Sequence, residues 1–250
     1  MNILTLQSLS TIQTWYAEAK EHGAVILIDK DLQWTSFDVV AKLRRLLKIK
    51  KIGHAGTLDP LATGLLIVCV GRPATKLINE YQDSTKAYQA TIKLGASTAS
   101  YDAETPESVF ADIPHDISQE FINQTLQSFI GEIQQIPPMF SALKKNGIPL
   151  YRQARQGIQE ELQPRNITIN ALTLDAFEGD SITITVQCSK GTYIRSLARD
   201  IAEKLGTVGY LTMLRRISSG EFLVSDAIRI GDFEQEFNIA TSDFSSSHSQ

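Results

Sequence analysis

Gly53-His54-Ala55-Gly56-Thr57-Leu58-Asp59-Pro60-Leu61-Ala62-Thr63-Gly64 is the stretch around which the chain is organised. It holds three glycines, one histidine and one carboxylate. A basic run precedes it, with Lys42, Arg44, Arg45, Lys48, Lys50 and Lys51, and the apolar run 65–70 follows. Asp59 is the only acid between Asp38 and Glu80. Glycine admits backbone conformations that other residues resist. The pattern therefore reads as a loop that displays a carboxylate beside a cationic wall suited to an anionic substrate. A plainer reading is a helix start, in which Asp caps free amides and Pro takes the first turn. The two readings are compatible, because loops and caps are where catalytic groups often sit. His54 alone reads as a packed or hydrogen-bonded histidine. No Gly-Lys-Ser/Thr follows to make a Walker phosphate loop.

The 250 residues, 42% of them hydrophobic, suffice for one large domain or a domain with an appendage. A net charge of -4 argues against a non-specific nucleic-acid binder, which is usually basic overall. A local basic patch can still hold phosphates, since screening limits each charge to a reach of about 10 Å. Cys69 and Cys188 stand far apart, in no metal-binding spacing and among apolar or β-branched neighbours. They read as buried thiols in a reducing compartment. No run approaches the roughly 18 apolar residues of a membrane span. The N-terminus lacks a charged segment followed by an apolar core. A cytoplasmic location is expected, with no membrane partner and no metal.

Apolar positions Leu9, Ile12, Trp15, Tyr16 and Ala19 predict a helix within a 1–23 extension, stopped by Gly23. Residues 24–30 read as a buried strand. Thr35 or Ser36 then caps a helix whose apolar face is Phe37, Val40, Leu43 and Leu47. Residues 65–70 fit a central strand or a buried helix, and periodicity does not choose. Residues 87–95 alternate as a strand, and 97–115 read as a long loop. Ser118 starts a helix carrying Ile122, Leu126, Phe129, Ile130 and Ile133 on one face, and the prolines of 136–140 impose an extended segment. Residues 167–177 and 181–188 form a hairpin around Glu178-Gly179-Asp180. A helix over 193–205 ends at Gly206, and the serine-rich end, within 236–250, is expected to be disordered. There is no internal repeat and no clear linker. Helices and antiparallel-looking strands in mixed order indicate an α+β fold.

The 53–64 stretch closely resembles the signature of the bacterial tRNA pseudouridine synthase B family. Four companions occur in the family's order: Lys86-Ala87-Tyr88; Ile136-Pro137-Pro138-Met139-Phe140-Ser141-Ala142-Leu143-Lys144; Cys188-Ser189-Lys190-Gly191-Thr192-Tyr193-Ile194-Arg195; and Leu214-Arg215-Arg216. The resemblance covers roughly 24–233. It implies a pseudouridine-synthase-like catalytic domain over 24–235, with a mixed, largely antiparallel sheet flanked by helices. It also implies the family's reaction, isomerisation of uridine-55 in the TψC loop of tRNA, without a cofactor. Asp59 would be the catalytic carboxylate and Arg195 its partner. Tyr88 would stack on the flipped uracil and take part in proton removal from C5. His54, Lys30, Tyr193 and Leu214 would serve substrate binding: His54 at the extruded base, Lys30 at the end of the first strand, Leu214 at the pocket floor. Without the family pattern, Tyr88 reads as core and Arg195 as a surface ion pair with Asp200.

The chemistry fits those residue types. Uracil leaves C1′ through N1, rotates, and returns through C5, with no net electron exchange. The carboxylate has two routes open, attack on the sugar or removal of its 2′ proton. Either needs an ionised group, which burial opposes and a neighbouring guanidinium favours.

Three departures stand out. Asp31 and Gln33 occupy positions where the family usually shows proline and glycine. The T-x-T-x-D segment appears as Thr98-Ala99-Ser100-Tyr101-Asp102. The full C-terminal RNA-binding domain of longer members is not expected here. RNA affinity is then expected from Lys42, Arg45, Lys48 and Lys51 and from Lys144, Lys145 and Arg152, in a monomer that takes tRNA. The competing readings are a non-catalytic RNA-binding or RNA-folding factor on the same fold, and a synthase acting on another RNA. The intact Asp59, Tyr88 and Arg195 set argues against the first.

Overall fold

The structure, a computed structural model, describes residues 1–145, 147–158 and 160–246. Its contacts form two compact units, Met1–Lys86 with Arg215–Gln250, and Ala87–Leu214.

The first unit begins with β1 (Asn2–Leu4), a 3-10 turn, α1 (Ile12–Glu21), β2 (Ala24–Lys30), α2 (Ser36–Leu47), β3 (Ile52–Ala55), β4 (Ala62–Val70), α3 (Arg72–Thr75) and α4 (Ile78–Gln82). The second unit contains β5 (Lys86–Leu94), β6 (Ala96–Thr98), β7 (Glu107–Phe110), α5 (Gln119–Gln127), β8 (Gly131–Gln135), β9 (Lys144–Lys145), β10 (Ile148–Pro149), α6 (Leu150–Ala154), β11 (Arg165–Glu178), β12 (Ser181–Cys188) and α7 (Ile194–Lys204). Strand β13 (Gly209–Ser219) carries the chain back at residues 214–215. The first unit then closes with β14 (Phe222–Leu223), β15 (Ile228–Arg229) and α8 (Ile230–Ser246).

In the first unit β2 runs antiparallel to β4, with Ala24 opposite Val70 and Lys30 opposite Gly64. β1 and β15 add in parallel to the free edge of β2, and β3 pairs antiparallel with 67–70 of β4. Both central strands are almost wholly apolar because both faces are covered. Val25, Leu27, Leu65, Ile67 and Cys69 pack with Ala74 and Ala227. The alternate residues Ile26, Ile28, Leu66 and Val68 are equally buried, as the two-residue period of a strand requires. Residues 65–70 are thus a central strand and not a helix.

Residues 1–23 contribute more than a helix. They also supply β1, and Trp15 is buried, donating Nε1–H to Val25 O at 2.9 Å and meeting Phe233 edge-on at 6.1 Å. Helix α8 continues into the 236–250 stretch expected to be disordered, with Phe237 and Ala240 buried; 247–250 lie outside the described residues.

Helix α2 begins with a reciprocal cap. Thr35 Oγ1 accepts from Asp38 N–H at 3.0 Å, and the Asp38 carboxylate accepts from Thr35 N–H at 2.9 Å. Its buried face is Val39, Val40, Leu43 and Leu47. Phe37, expected on that face, is 64% exposed, because the first turn buries Ser36 and Val39 instead.

The second unit is a sheet in which β11 pairs with β12 on one edge and β8 on the other, both antiparallel. Its core joins Ala90, Ile92 and Leu94 of β5 with Ile182, Ile184 and Val186 of β12, Ile122 and Leu126 of α5, and Leu197, Ala198 and Ile201 of α7. Two expectations are corrected here. Helix α5 stops at Gln127, and Gly131, at φ +109°, turns the chain into β8, where Ile133 pairs with Ile167 of β11. The supposed loop 97–115 contains the β6–β7 hairpin. The architecture is α+β, with mixed but mainly antiparallel strands flanked by helices.

Candidate active site

Asp59 lies between β3 and β4, in a turn and not at a helix start. Ala62 N–H donates to Asp59 O at 3.0 Å and closes that turn into β4. The Asp-Pro pair therefore shapes a hairpin connection, and the helix-start reading is overturned.

The backbone on either side of Asp59 is tied down. Ser36 Oγ accepts from Leu58 N–H at 2.9 Å and donates to Leu58 O at 3.2 Å. Pro60 O accepts from Gln33 N–H at 2.9 Å and from Lys30 Nζ at 3.5 Å. Gln33 reaches that bond in the left-handed region, at φ +65°, so it adopts a backbone conformation that glycine takes without strain. The segment carrying Asp31 and Gln33 is thus linked to the Asp59 loop.

Lys30 is 1% exposed, and its Nζ also donates to Asp31 O at 3.0 Å and Trp34 O at 2.5 Å. Burial pulls its pKa from 10.5 to about 8, while the neighbouring charges of Asp59 and Asp31 oppose that shift. His54 stands on β3, opposite Val68. Burial holds its imidazole below its usual pKa, and Arg216 pushes the same way. Asp59, Lys30 and His54 share one unit; the charge of Asp59 acts on Lys30, and that of Arg216 acts on both Lys30 and His54.

In the second unit Tyr88 on β5 and Leu214 on β13 are both partly buried against the same apolar core. Tyr193 caps α7, and its backbone N–H and C=O bond the side chain of Gln135 at 2.8 and 3.1 Å. Arg195, in the first turn of the helix, is 4% exposed. It donates to Ser100 O at 3.2 Å and Phe140 O at 2.9 Å, and its Nε lies 3.7 Å from the Asp102 carboxylate. The surface pair with Asp200 does not form; Asp200 binds Arg199 at 2.5 Å. The Thr98-to-Asp102 segment is a tight knot, with Thr98 Oγ1 donating to Asp102 O at 2.6 Å and Ser100 Oγ to the same oxygen at 3.2 Å. Asp102 was visible in sequence only as the end of a family segment; that it faces Arg195 requires the fold.

The expected RNA-contacting cations divide in two. Arg45, Lys48 and Lys51 are exposed at the end of α2 and beyond, as are Lys144 and Arg152 elsewhere, and none forms an ion pair among the described residues. Lys42 pairs with Glu234 and Lys145 with Glu160, each at 2.5 Å. Among the described residues no group of three or more His, Cys, Asp or Glu could hold a metal, and no helix is long and apolar enough to cross a membrane.

Comparison with known proteins adds an independent line. The family described as TruB family pseudouridylate synthase (N terminal domain) matches residues 44–194, and a tRNA pseudouridylate synthase B C-terminal domain matches 195–248. The chain is 48% identical over 215 residues to tRNA pseudouridine synthase B of Dechloromonas aromatica, covering 86% of this chain and 71% of that protein. It is 46% identical to the protein of the same name from Flavobacterium johnsoniae, covering 85% and 95%. For the one from Psychrobacter cryohalolentis the figures are 47%, 85% and 60%. Among solved structures, a chain of a Cbf5-Nop10-Gar1 complex aligns with TM-score 0.70 and 28% identity, over 93% of this chain and 58% of that one.

Proposed function

The chain belongs to the TruB family of pseudouridylate synthases, and from that premise we propose that it converts uridine-55 in the TψC loop of tRNA to pseudouridine, with Asp59 as the catalytic carboxylate. The observation that carries this reading is the immobilised turn, in which Leu58 and Pro60 are both hydrogen-bonded through their backbones. A catalytic group so held loses little entropy when substrate arrives.

In this reading the uridine is flipped out of the folded RNA, at a cost of a few kcal/mol. The Tyr88 ring stacks on the uracil, and base–aromatic stacking returns about 1–3 kcal/mol. Asp59 acts on the ribose in its ionised form. The N1–C1′ bond breaks, the ring turns, C5 bonds to C1′, C5 gives up its proton, and N1 finishes protonated. Arg195 supplies the counter-charge to the carboxylate, and Leu214 packs against the base. His54 enters the space the base vacates, and its lowered pKa keeps it neutral near pH 7. Arg45, Lys48, Lys51, Lys144 and Arg152 meet phosphates. Lys42 and Lys145 can do so only by giving up Glu234 and Glu160.

The test is incubation with an unmodified tRNA transcript, followed by chemical mapping of pseudouridine at single-nucleotide level. One modification at position 55, absent from a transcript with cytidine there, is expected. Modification elsewhere, or none, would overturn the substrate assignment in favour of another RNA.

A further inference from the structure

We propose that Arg216 is a positioning residue: a single buried guanidinium grips both stems of the loop that carries Asp59 and thereby sets where the carboxylate sits. The proposal rests on the reading of Asp59 as the catalytic group. Arg216 is 1% exposed. Its Nε donates to Leu65 O, on the stem leaving the loop, at 2.7 Å. Its Nη2 donates to Gly56 O, on the stem entering it, at 3.1 Å. The backbone joins in. A Cβ on Gly64 would stand 2.3 Å from Arg216 O and 2.8 Å from Arg216 N, so the strand lies directly against the second stem. A Cβ on Gly56 would stand 3.2 Å from Arg216 Nη1, so the first stem is equally close to the side chain. Gly56 and Gly64 have positive φ, +88° and +100° respectively.

The side-chain type follows from this geometry. Two carbonyls on different stems need two donors in fixed, divergent directions, which a planar guanidinium has and an ammonium lacks. Arg216 forms no ion pair among the described residues, so its charge is spent on carbonyls and on the field around it. That field opposes protonation of both Lys30 and His54. The other tethers hold the loop at its tip, through Leu58 and Pro60; Arg216 holds it at its base.

The test uses Arg216→Lys and Gly56→Ala in the full chain, with Asp59→Asn in parallel. Folding is checked by thermal melting, and single-turnover rate at saturating tRNA is measured separately from tRNA affinity. Arg216→Lys should slow turnover by about 10–100-fold, the penalty of a misplaced group, with affinity changed less than about threefold. Amide exchange over 57–64 should quicken while that of β2 stays unchanged. Gly56→Ala, which strains the first stem at φ +88° and presses a methyl group on the guanidinium, should show the same split, and a folded Gly56→Ala with the wild-type rate overturns the proposal if Arg216→Lys fails to fold. A folded variant of either kind with the wild-type rate overturns the proposal. If Asp59→Asn itself turns over normally, the reading of Asp59 has failed instead.

Discussion

The loop 53–64 and the segment 141–157 both carry sequence marks of function, yet they are built in opposite ways. In the loop, backbone groups beside the carboxylate are bonded to Ser36, Gln33 and Lys30, and the stems to Arg216. The cations there are buried and donate to carbonyl oxygens. In the segment, two two-residue strands and a short helix carry the cations outward. Two of those pair with carboxylates: Lys145 with Glu160 and Arg155 with Glu104. The loop suits chemistry, which tolerates little displacement of a reacting group. The segment suits a phosphate surface, where point charges act additively and at longer range.

The contrast can be broken most severely at the buried cations. Arg195→Met should abolish turnover and cost about 3–5 kcal/mol of stability by leaving Asp102 buried without its partner. A thermal melt close to wild type would show that Arg195 is not part of the second unit's framework. Ser36→Ala is the milder probe of the loop tip. It strips both tethers from Leu58 and should cost about 1–3 kcal/mol, slowing turnover with tRNA affinity unchanged; loss of affinity with unchanged turnover would contradict the positioning role.

Lys30 gives a prediction with a sign. Its folded pKa is about 8 against 10.5 when unperturbed. Between those values the unfolded chain holds a proton that the folded chain has released, so stability rises with pH there. Below pH 8 both states are protonated and this contribution is flat. Denaturation of wild type and Lys30→Met across that range should therefore show the difference shifting in favour of wild type above pH 8. A difference that is the same at pH 7 and pH 10 would refute the shift.

The smallest effects belong to the surface. Arg45→Gln and Lys48→Gln should each reduce the salt dependence of tRNA binding by about one counterion. The ion-paired Lys42 and Lys145 should change it less when replaced by Gln. Equal slopes for all four variants would erase the distinction between unpaired and paired cations.

Much of this was legible in the residues. The apolar runs 24–30 and 65–70 could only be buried, and the β11–β12 hairpin announced itself at Glu178-Gly179-Asp180. The candidate loop stood out by its glycines and its isolated acid. What failed was local inference in places where distant contacts decide. Phe37 has helical spacing, but in the first turn of α2 it is Ser36 and Val39 that are buried, with Ser36 bonded to Leu58, while Phe37 is left exposed. Ile133 continues a helical pattern, but pairing with β11 draws it into a strand. The anchors of the loop were hidden for the same reason. Arg216 lies 160 residues from Gly56, and Asp102 meets Arg195 only after folding. No spacing rule connects positions so far apart.

The most direct test is the single-turnover rate of Asp59→Asn on unmodified tRNA, measured with its tRNA affinity and its melting temperature. The substitution keeps the shape of the side chain and removes its charge. The account predicts a folded protein that binds tRNA as wild type does and forms pseudouridine at least roughly 10³-fold more slowly. A rate near wild type would contradict it.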